Sequence, residues 1–316
     1  MPEIHRRQFV GACAAALGAA AAQPAIAERL LDRPSDGTSA PFSVMLWTVA
    51  PKLPFPQRLA KVAEAGYPAV ELVGEYDRWS SADFARTRQQ CHQLGILVDA
   101  CSGIDASLVD PAERETLLRQ IRAKLPVLRE LECSRLILLT GNVVPGLTHE
   151  QMRANCIEAL ERAAELCTPQ KIELLLENID PEENPNYFLT SVAKGLEIIR
   201  EVNHPGVKFL YDFFHEQISE GNLIAKLEQN LDLIGLVHVA DVPGRHAPGT
   251  GEINYANIFR KLGQLGYSRY MAMEFLPTGD VVSELRAARE FAQEYFVQGR
   301  QRIARTSPQE ISHAAS

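Results

Sequence analysis

The sequence predicts an α/β protein whose parallel strands close into a (β/α)8 barrel, and three observations predict it. Short apolar runs of β type alternate with longer segments of helical period. Eight such runs follow one another within about 250 residues, a length that suits one closed barrel better than a doubly wound sheet. Several helical segments end alike, in Ala65-Gly66-Tyr67, Leu94-Gly95-Ile96 and Leu265-Gly266-Tyr267, where glycine supplies a left-handed stop before an apolar strand. Periodicity by itself leaves the open sheet as the alternative.

Taken in order, the predicted strands are Ser43–Trp47, Ala69–Val73, Leu97–Cys101, Leu136–Thr140, Glu173–Glu177, Lys208–Tyr211, Gly235–Val239 and Tyr270–Phe275. The barrel domain they define spans residues 41–299. Residues 28–40, rich in Pro, Ser, Gly and charge, read as a linker, and residues 300–316 as a polar C-terminal tail.

Residues 1–27 have a different character. Arg6-Arg7 is followed by an uncharged, Ala-rich stretch from Val10 to Ala22, and Ala25-Ile26-Ala27 supplies a small-x-small cleavage site. This pattern predicts a twin-arginine signal peptide, a twin-arginine translocase as export partner and a periplasmic or otherwise exported location. The apolar run is too short and too weakly hydrophobic to span roughly 30 Å of hydrocarbon.

The formal net charge of −8 offers no basic surface for phosphate backbones, so nucleic acid is not an expected partner. Of the six cysteines, Cys13 leaves with the signal. Cys91, Cys101, Cys133, Cys156 and Cys167 are odd in number and contain no Cys-x-x-Cys pair, so they read as small core residues.

The informative residues stand at the ends of the last four strands. Leu174-Leu175-Leu176 runs into Glu177, Phe209-Leu210-Tyr211 into Asp212, Leu236-Val237 into His238, and Met271-Ala272-Met273 into Glu274. In a parallel barrel all strand carboxyl ends open on one face, so these side chains can converge although they are distant in sequence. Charge in such a mouth is costly unless paired or metal-bound. Three carboxylates and one imidazole make a mainly hard-oxygen shell suited to one divalent ion, Mn²⁺ or Mg²⁺, with Co²⁺ also compatible. Asp212 and His215, three residues apart, can both turn inward, and Arg245 in a Pro-Gly-Arg loop has the planar fork that suits a carboxylate. His246 and Glu252 read as loop-structuring. Trp47 and Tyr76, near early strand ends, read as core packing. Gly249-Thr250-Gly251 lacks the Lys-Ser/Thr of a phosphate-binding loop.

Leu176-Glu177-Asn178-Ile179, Tyr211-Asp212-Phe213-Phe214-His215 and the long run from Pro243 to Tyr255 resemble the xylose-isomerase-like TIM barrels, and within them the hydroxypyruvate isomerases. The weaker resemblance extends from about Phe42 to Ala292. It implies that Glu177, Asp212, His238 and Glu274 hold the metal, that Glu177 and Glu274 face each other across the substrate as acid and base, and that His215, Arg245 and Glu183 contact substrate oxygens. One departure is Ala247, where the family usually carries an acidic residue.

The implied reaction converts hydroxypyruvate to tartronate semialdehyde through an enediolate whose negative charge a divalent cation stabilises. The expected partner is a small keto acid or ketose, and a homo-oligomer is left open. On the same site, a ketose 3-epimerase or a keto-polyol dehydratase are alternative readings. A non-catalytic exported sugar-binding protein is a third.

Overall fold

The computed structural model describes residues 40–306. The signal peptide expected over residues 1–27 and the linker over 28–40 lie outside the described residues, apart from Ala40. The chain forms eight strands: β1 (Phe42–Met45), β2 (Ala69–Val73), β3 (Leu97–Ser102), β4 (Arg135–Leu139), β5 (Glu173–Glu177), β6 (Val207–Asp212), β7 (Ile234–Val239) and β8 (Met271–Met273). Every neighbouring pair is parallel, and β8 pairs back onto β1, so the sheet is a closed barrel in sequence order. The open-sheet alternative is thereby excluded.

Around the barrel run the helices α1 (Phe55–Glu64), α2 (Ser81–Leu94), α3 (Arg114–Glu130), α4 (His149–Cys167), α5 (Val192–Val202), α6 (Phe213–Ser219), α7 (Leu223–Gln229), α8 (Tyr255–Gln264) and α9 (Val281–Thr306). The three glycine stops have positive φ, and each is followed by the same closing bond: Tyr67 N–H to Val62 O, Ile96 N–H to Cys91 O and Tyr267 N–H to Leu262 O. Helix α9 continues to Thr306, beyond the point where the sequence reading ends the ordered chain.

Two apolar layers hold the barrel. The larger packs the helices onto the outward strand residues, and a smaller one inside the barrel joins Met45, Ala100, Ile137, Leu175, Leu210 and Leu236. The inner layer fixes which residues face the mouth, because strand side chains alternate with period two. Glu177, Asp212 and His238 lie two positions beyond Leu175, Leu210 and Leu236, so all three face inward. Met271 and Met273 belong to the outer core, which turns Glu274 inward as well.

Three predicted strands end earlier than expected, β4 by one residue at Leu139 and β1 and β8 by two. Leu46–Thr48 is a 3₁₀ turn rather than the end of β1, and β8 stops at Met273, so Glu274 stands one residue past its strand. The five described cysteines are free and buried.

Candidate metal centre

Ligand atoms of Glu177, Asp212, His238 and Glu274 all lie within 4.8 Å of one another, and all four residues are buried. His238 Nδ1 is 2.7 Å from Glu274 Oε2, 3.5 Å from Glu177 Oε1 and 3.9 Å from Asp212 Oδ2. Asp212 Oδ2, His238 Nδ1 and Glu274 Oε2 are nevertheless buried atoms without a hydrogen-bond partner. Three electron-rich atoms from three strand ends thus converge with no donor correctly directed between them. Buried polar atoms are rarely left this way, and a hard divalent cation satisfies all of them at once. The donor set fits such an ion.

Each of these side chains is oriented from behind. Asp212 ends β6 and caps α6: its Oδ1 accepts the N–H groups of Phe214 at 2.7 Å and His215 at 3.4 Å, leaving Oδ2 for the centre. The outer nitrogen of His238, Nε2, donates to Glu71 Oε2 at 2.9 Å, so Nδ1 is the nitrogen presented to the ligand cluster. Trp47 Nε1 donates to Glu274 Oε1 at 2.8 Å. Trp47 is therefore part of the site rather than simple packing. Tyr76 remains in the core, its hydroxyl bonded to the carbonyl of Ser102.

The residues expected to meet substrate line the same mouth. Arg245 Nη2 lies 2.9 Å from Glu274 Oε2 and 3.5 Å from Asp212 Oδ2, while Nη1 reaches Glu183 Oε2 at 2.9 Å. Its guanidinium sits 5.0 Å from the Phe214 ring and 5.7 Å from the Trp47 ring. Glu183 is half exposed and meets the centre through its ion pair with Arg245. His215 Nδ1 donates to Asp180 Oδ2 at 2.6 Å, and its Nε2 is 3.5 Å from Asp212 Oδ2. Asp180 Oδ1 in turn accepts from Glu182 N–H at 2.8 Å and Glu183 N–H at 2.9 Å. Asp180, Glu183 and His215 form a second group of clustered ligand-type atoms beside the first.

Arg245 is aimed by a loop built on Asp241. The buried carboxylate of Asp241 accepts four backbone N–H groups, from Val242 and Ile253 on Oδ1 and from Gly249 and Gly251 on Oδ2. The Val242–Pro243 bond is cis, and Arg245 itself has φ of 57°, a left-handed conformation unusual for a non-glycine residue. His246 Nδ1 lies 3.0 Å from the carbonyl of Leu276, a loop-structuring contact.

The electrostatics differ from one carboxylate to the next. Burial pushes Glu177 above the usual carboxylate range, with His238 opposing it. Burial acts on Glu274 too, but the charges of Arg245 and His238 overcome it and hold Glu274 well below that range. For His238, burial works against protonation, yet Glu71 and Glu274 outweigh it and push the imidazole well up. The same crowd of carboxylates that favours a proton on His238 favours a metal cation in its place. His215, opposed by burial, is pushed up to about 9 by the Asp212 charge and the Asp180 hydrogen bond.

Glu71, Asp180 and Asp241 are missing from the sequence reading. Glu71 left a signal, as a lone charge between Val70 and Leu72 in an apolar strand. Asp180 and Asp241 lie in loops with no periodicity, where nothing distinguishes them from solvated carboxylates.

Relatives with known names are similar to this chain over most of their length. A 2-oxo-tetronate isomerase from Haemophilus influenzae is 30% identical over 250 residues, covering 77% of this chain and 96% of the relative. A hydroxypyruvate isomerase from Escherichia coli is 29% identical over 249 residues, covering 78% and 96%. Among solved structures, a family 2 AP endonuclease from Brucella melitensis superposes with a TM-score of 0.71 at 27% identity, over 78% of this chain and 96% of the other. The family model described as xylose isomerase-like TIM barrel matches residues 59–295. Sheet closure, strand-end chemistry and this match agree: the chain belongs to the xylose isomerase-like TIM barrel family.

Proposed function

We propose that the protein is a divalent-metal-dependent isomerase of short 2-keto acids, with hydroxypyruvate to tartronate semialdehyde as its reaction. The observation that carries this reading is the convergence of ligand atoms from Glu177, Asp212, His238 and Glu274 within 4.8 Å of one another at the mouth of the barrel. The names of the two isomerase relatives support the substrate class.

A divalent ion bound by Glu177, Asp212, His238 and Glu274 would polarise the substrate carbonyl and the adjacent hydroxyl. The rest of the chemistry falls to the protein's own groups. One carboxylate takes the proton from C3 of hydroxypyruvate, the other delivers a proton to C2, and the hydroxyl proton passes from O3 to O2 as the carbonyl moves from C2 to C3. Glu177 and Glu274 have settings pushed in opposite directions, which is what separates an acid from a base in a shared site. His215 and Arg245 offer donors to the substrate carboxylate, and Asp180 and Glu183 hold these two donors in place. Phe214 and Trp47 wall the mouth beside Arg245.

Incubation with Mn²⁺ and hydroxypyruvate in D₂O, followed by NMR, tests the reading. Deuterium at the carbon next to the carbonyl together with a new aldehyde is the expected result. Inversion of fructose or tagatose at C3 with hydroxypyruvate untouched would instead mean an epimerase, loss of water a dehydratase, and sugar binding without exchange a binding protein. Export through the twin-arginine route is part of the proposal, supported by Arg6-Arg7 and Ala25-Ile26-Ala27, and cell fractionation checks it.

A further inference from the structure

His238 supplies the one nitrogen of the four-residue cluster, and the group behind it, on β2, is 167 residues away in the chain. Glu71 is fully buried on β2, between Val70 and Leu72, whose side chains belong to the outer core, so the Glu71 side chain faces into the barrel. Its Oε2 accepts the Nε2–H of His238 at 2.9 Å, and its Oε1 accepts the Ser43 hydroxyl at 3.4 Å. Three strands, β1, β2 and β7, therefore contribute one continuous line from Ser43 through Glu71 to His238. The neighbouring buried carboxyl, Asp99 on β3, has both oxygens unpartnered. Burial and the Glu71 charge push Asp99 well above the usual carboxylate range, against the opposing charge of Arg135.

A buried carboxylate is costly to desolvate unless a hydrogen-bonded partner offsets the loss of water. Ser43 offers only a long hydrogen bond, so the compensating partner of Glu71 is His238. We propose that Glu71 is a positioning residue for the metal centre: it fixes the imidazole of His238 with Nδ1 toward the cation, raises the basicity of that nitrogen and so sets how tightly the cation is held. The inference rests on the reading of Glu177, Asp212, His238 and Glu274 as a cation site. It assigns Glu71 no contact with substrate or with the cation itself.

The test is Mn²⁺ binding, followed by the loss of the free-ion electron paramagnetic resonance signal, in the wild type, Glu71→Gln, Glu71→Leu and Asp99→Asn. Circular dichroism checks that each variant is folded. Glutamine keeps an oxygen to accept the Nε2–H but loses the charge, and is expected to weaken Mn²⁺ binding about 10-fold; leucine loses both and is expected to weaken it about 100-fold. Asp99→Asn, which leaves the Glu71–His238 bond in place, is expected to bind within about twofold of the wild type. Folded Glu71→Gln and Glu71→Leu proteins that bind as the wild type does would overturn the inference while leaving the centre intact. Should the leucine variant fail to fold, the glutamine variant decides alone. A wild type that binds no Mn²⁺ would overturn the centre itself, and this role for Glu71 with it.

Discussion

Glu177 and Glu274 sit in one mouth with unlike surroundings. Glu274 is gripped by Trp47, Arg245 and His238, whereas Glu177 has only the 3.5 Å approach to His238. Replacing either with Gln is expected to leave the fold intact and to lower turnover by about 10²-fold or more, read as kcat on hydroxypyruvate. Full activity in both variants would remove them from the chemistry. His215 yields a prediction about pH in the metal-free protein. Its folded value of about 9 lies above the ordinary 6.5, so its contribution to stability is complete below pH 6.5 and disappears as pH rises through 9. Urea unfolding of wild type and His215→Asn should therefore differ by a few kcal/mol at pH 6, on the order of 3 at most, and converge near pH 10. An unchanging gap would contradict the charged pair with Asp180 and Asp212. At this scale the sequence revealed the candidate ligands, because apolar strands that each terminate in charge are unusual. The carboxylates behind them stayed hidden, since a pairing such as Glu71 with His238 joins residues that no local pattern links.

Among the elements, the loop from Asp241 to Ile253 aims Arg245, and it depends on one buried side chain. Asp241→Asn replaces a carboxylate oxygen that accepts two N–H groups with an NH₂ that must point at them. The expected loss is about 1–3 kcal/mol for each N–H left unsatisfied, seen as a lower melting temperature, with a raised KM for the keto acid as Arg245 loosens. Wild-type stability in this variant would mean that the loop holds itself without the carboxylate. Strands were the most legible elements: Ala69–Val73 and Glu173–Glu177 have the predicted bounds, and the other predicted strands differ at one or both ends. Divergence is greatest at β1 and β8; at β8 the mainly apolar run Tyr270–Phe275 looks like a full strand, yet the ladder to β1 covers only Met271, Ala272 and Met273. Apolar character records burial, and ladder pairing additionally requires a partner at the right register, which composition does not report. Helix stops were legible because a left-handed glycine is a local requirement.

Across the molecule, closure of the barrel is what turns four separate strand ends into one site. Chain order and period gave that closure its basis: eight units in sequence order pair each strand with its chain neighbour, and alternation with the inner layer of Leu175, Leu210 and Leu236 directs Glu177, Asp212 and His238 to one interior. A cation bound there ties β5, β6, β7 and the end of β8 together, so it stabilises the whole fold by mass action. Mn²⁺ at about 100 times its dissociation constant is expected to add about 2.7 kcal/mol. That corresponds to a rise in melting temperature of several degrees, since about 2–4 °C accompanies each kcal/mol in domains approaching this size. Chelation with EDTA should reverse it. A melting curve indifferent to both additions would mean that the cluster holds no ion.

The most direct measurement is anomalous diffraction from a crystal soaked in Mn²⁺ and collected above the manganese edge. A single strong peak is predicted at the point shared by the carboxylate oxygens of Glu177, Asp212 and Glu274 and by Nδ1 of His238, with Nε2 still on Glu71. Manganese bound elsewhere, or an empty mouth with those four side chains turned apart, would contradict the account.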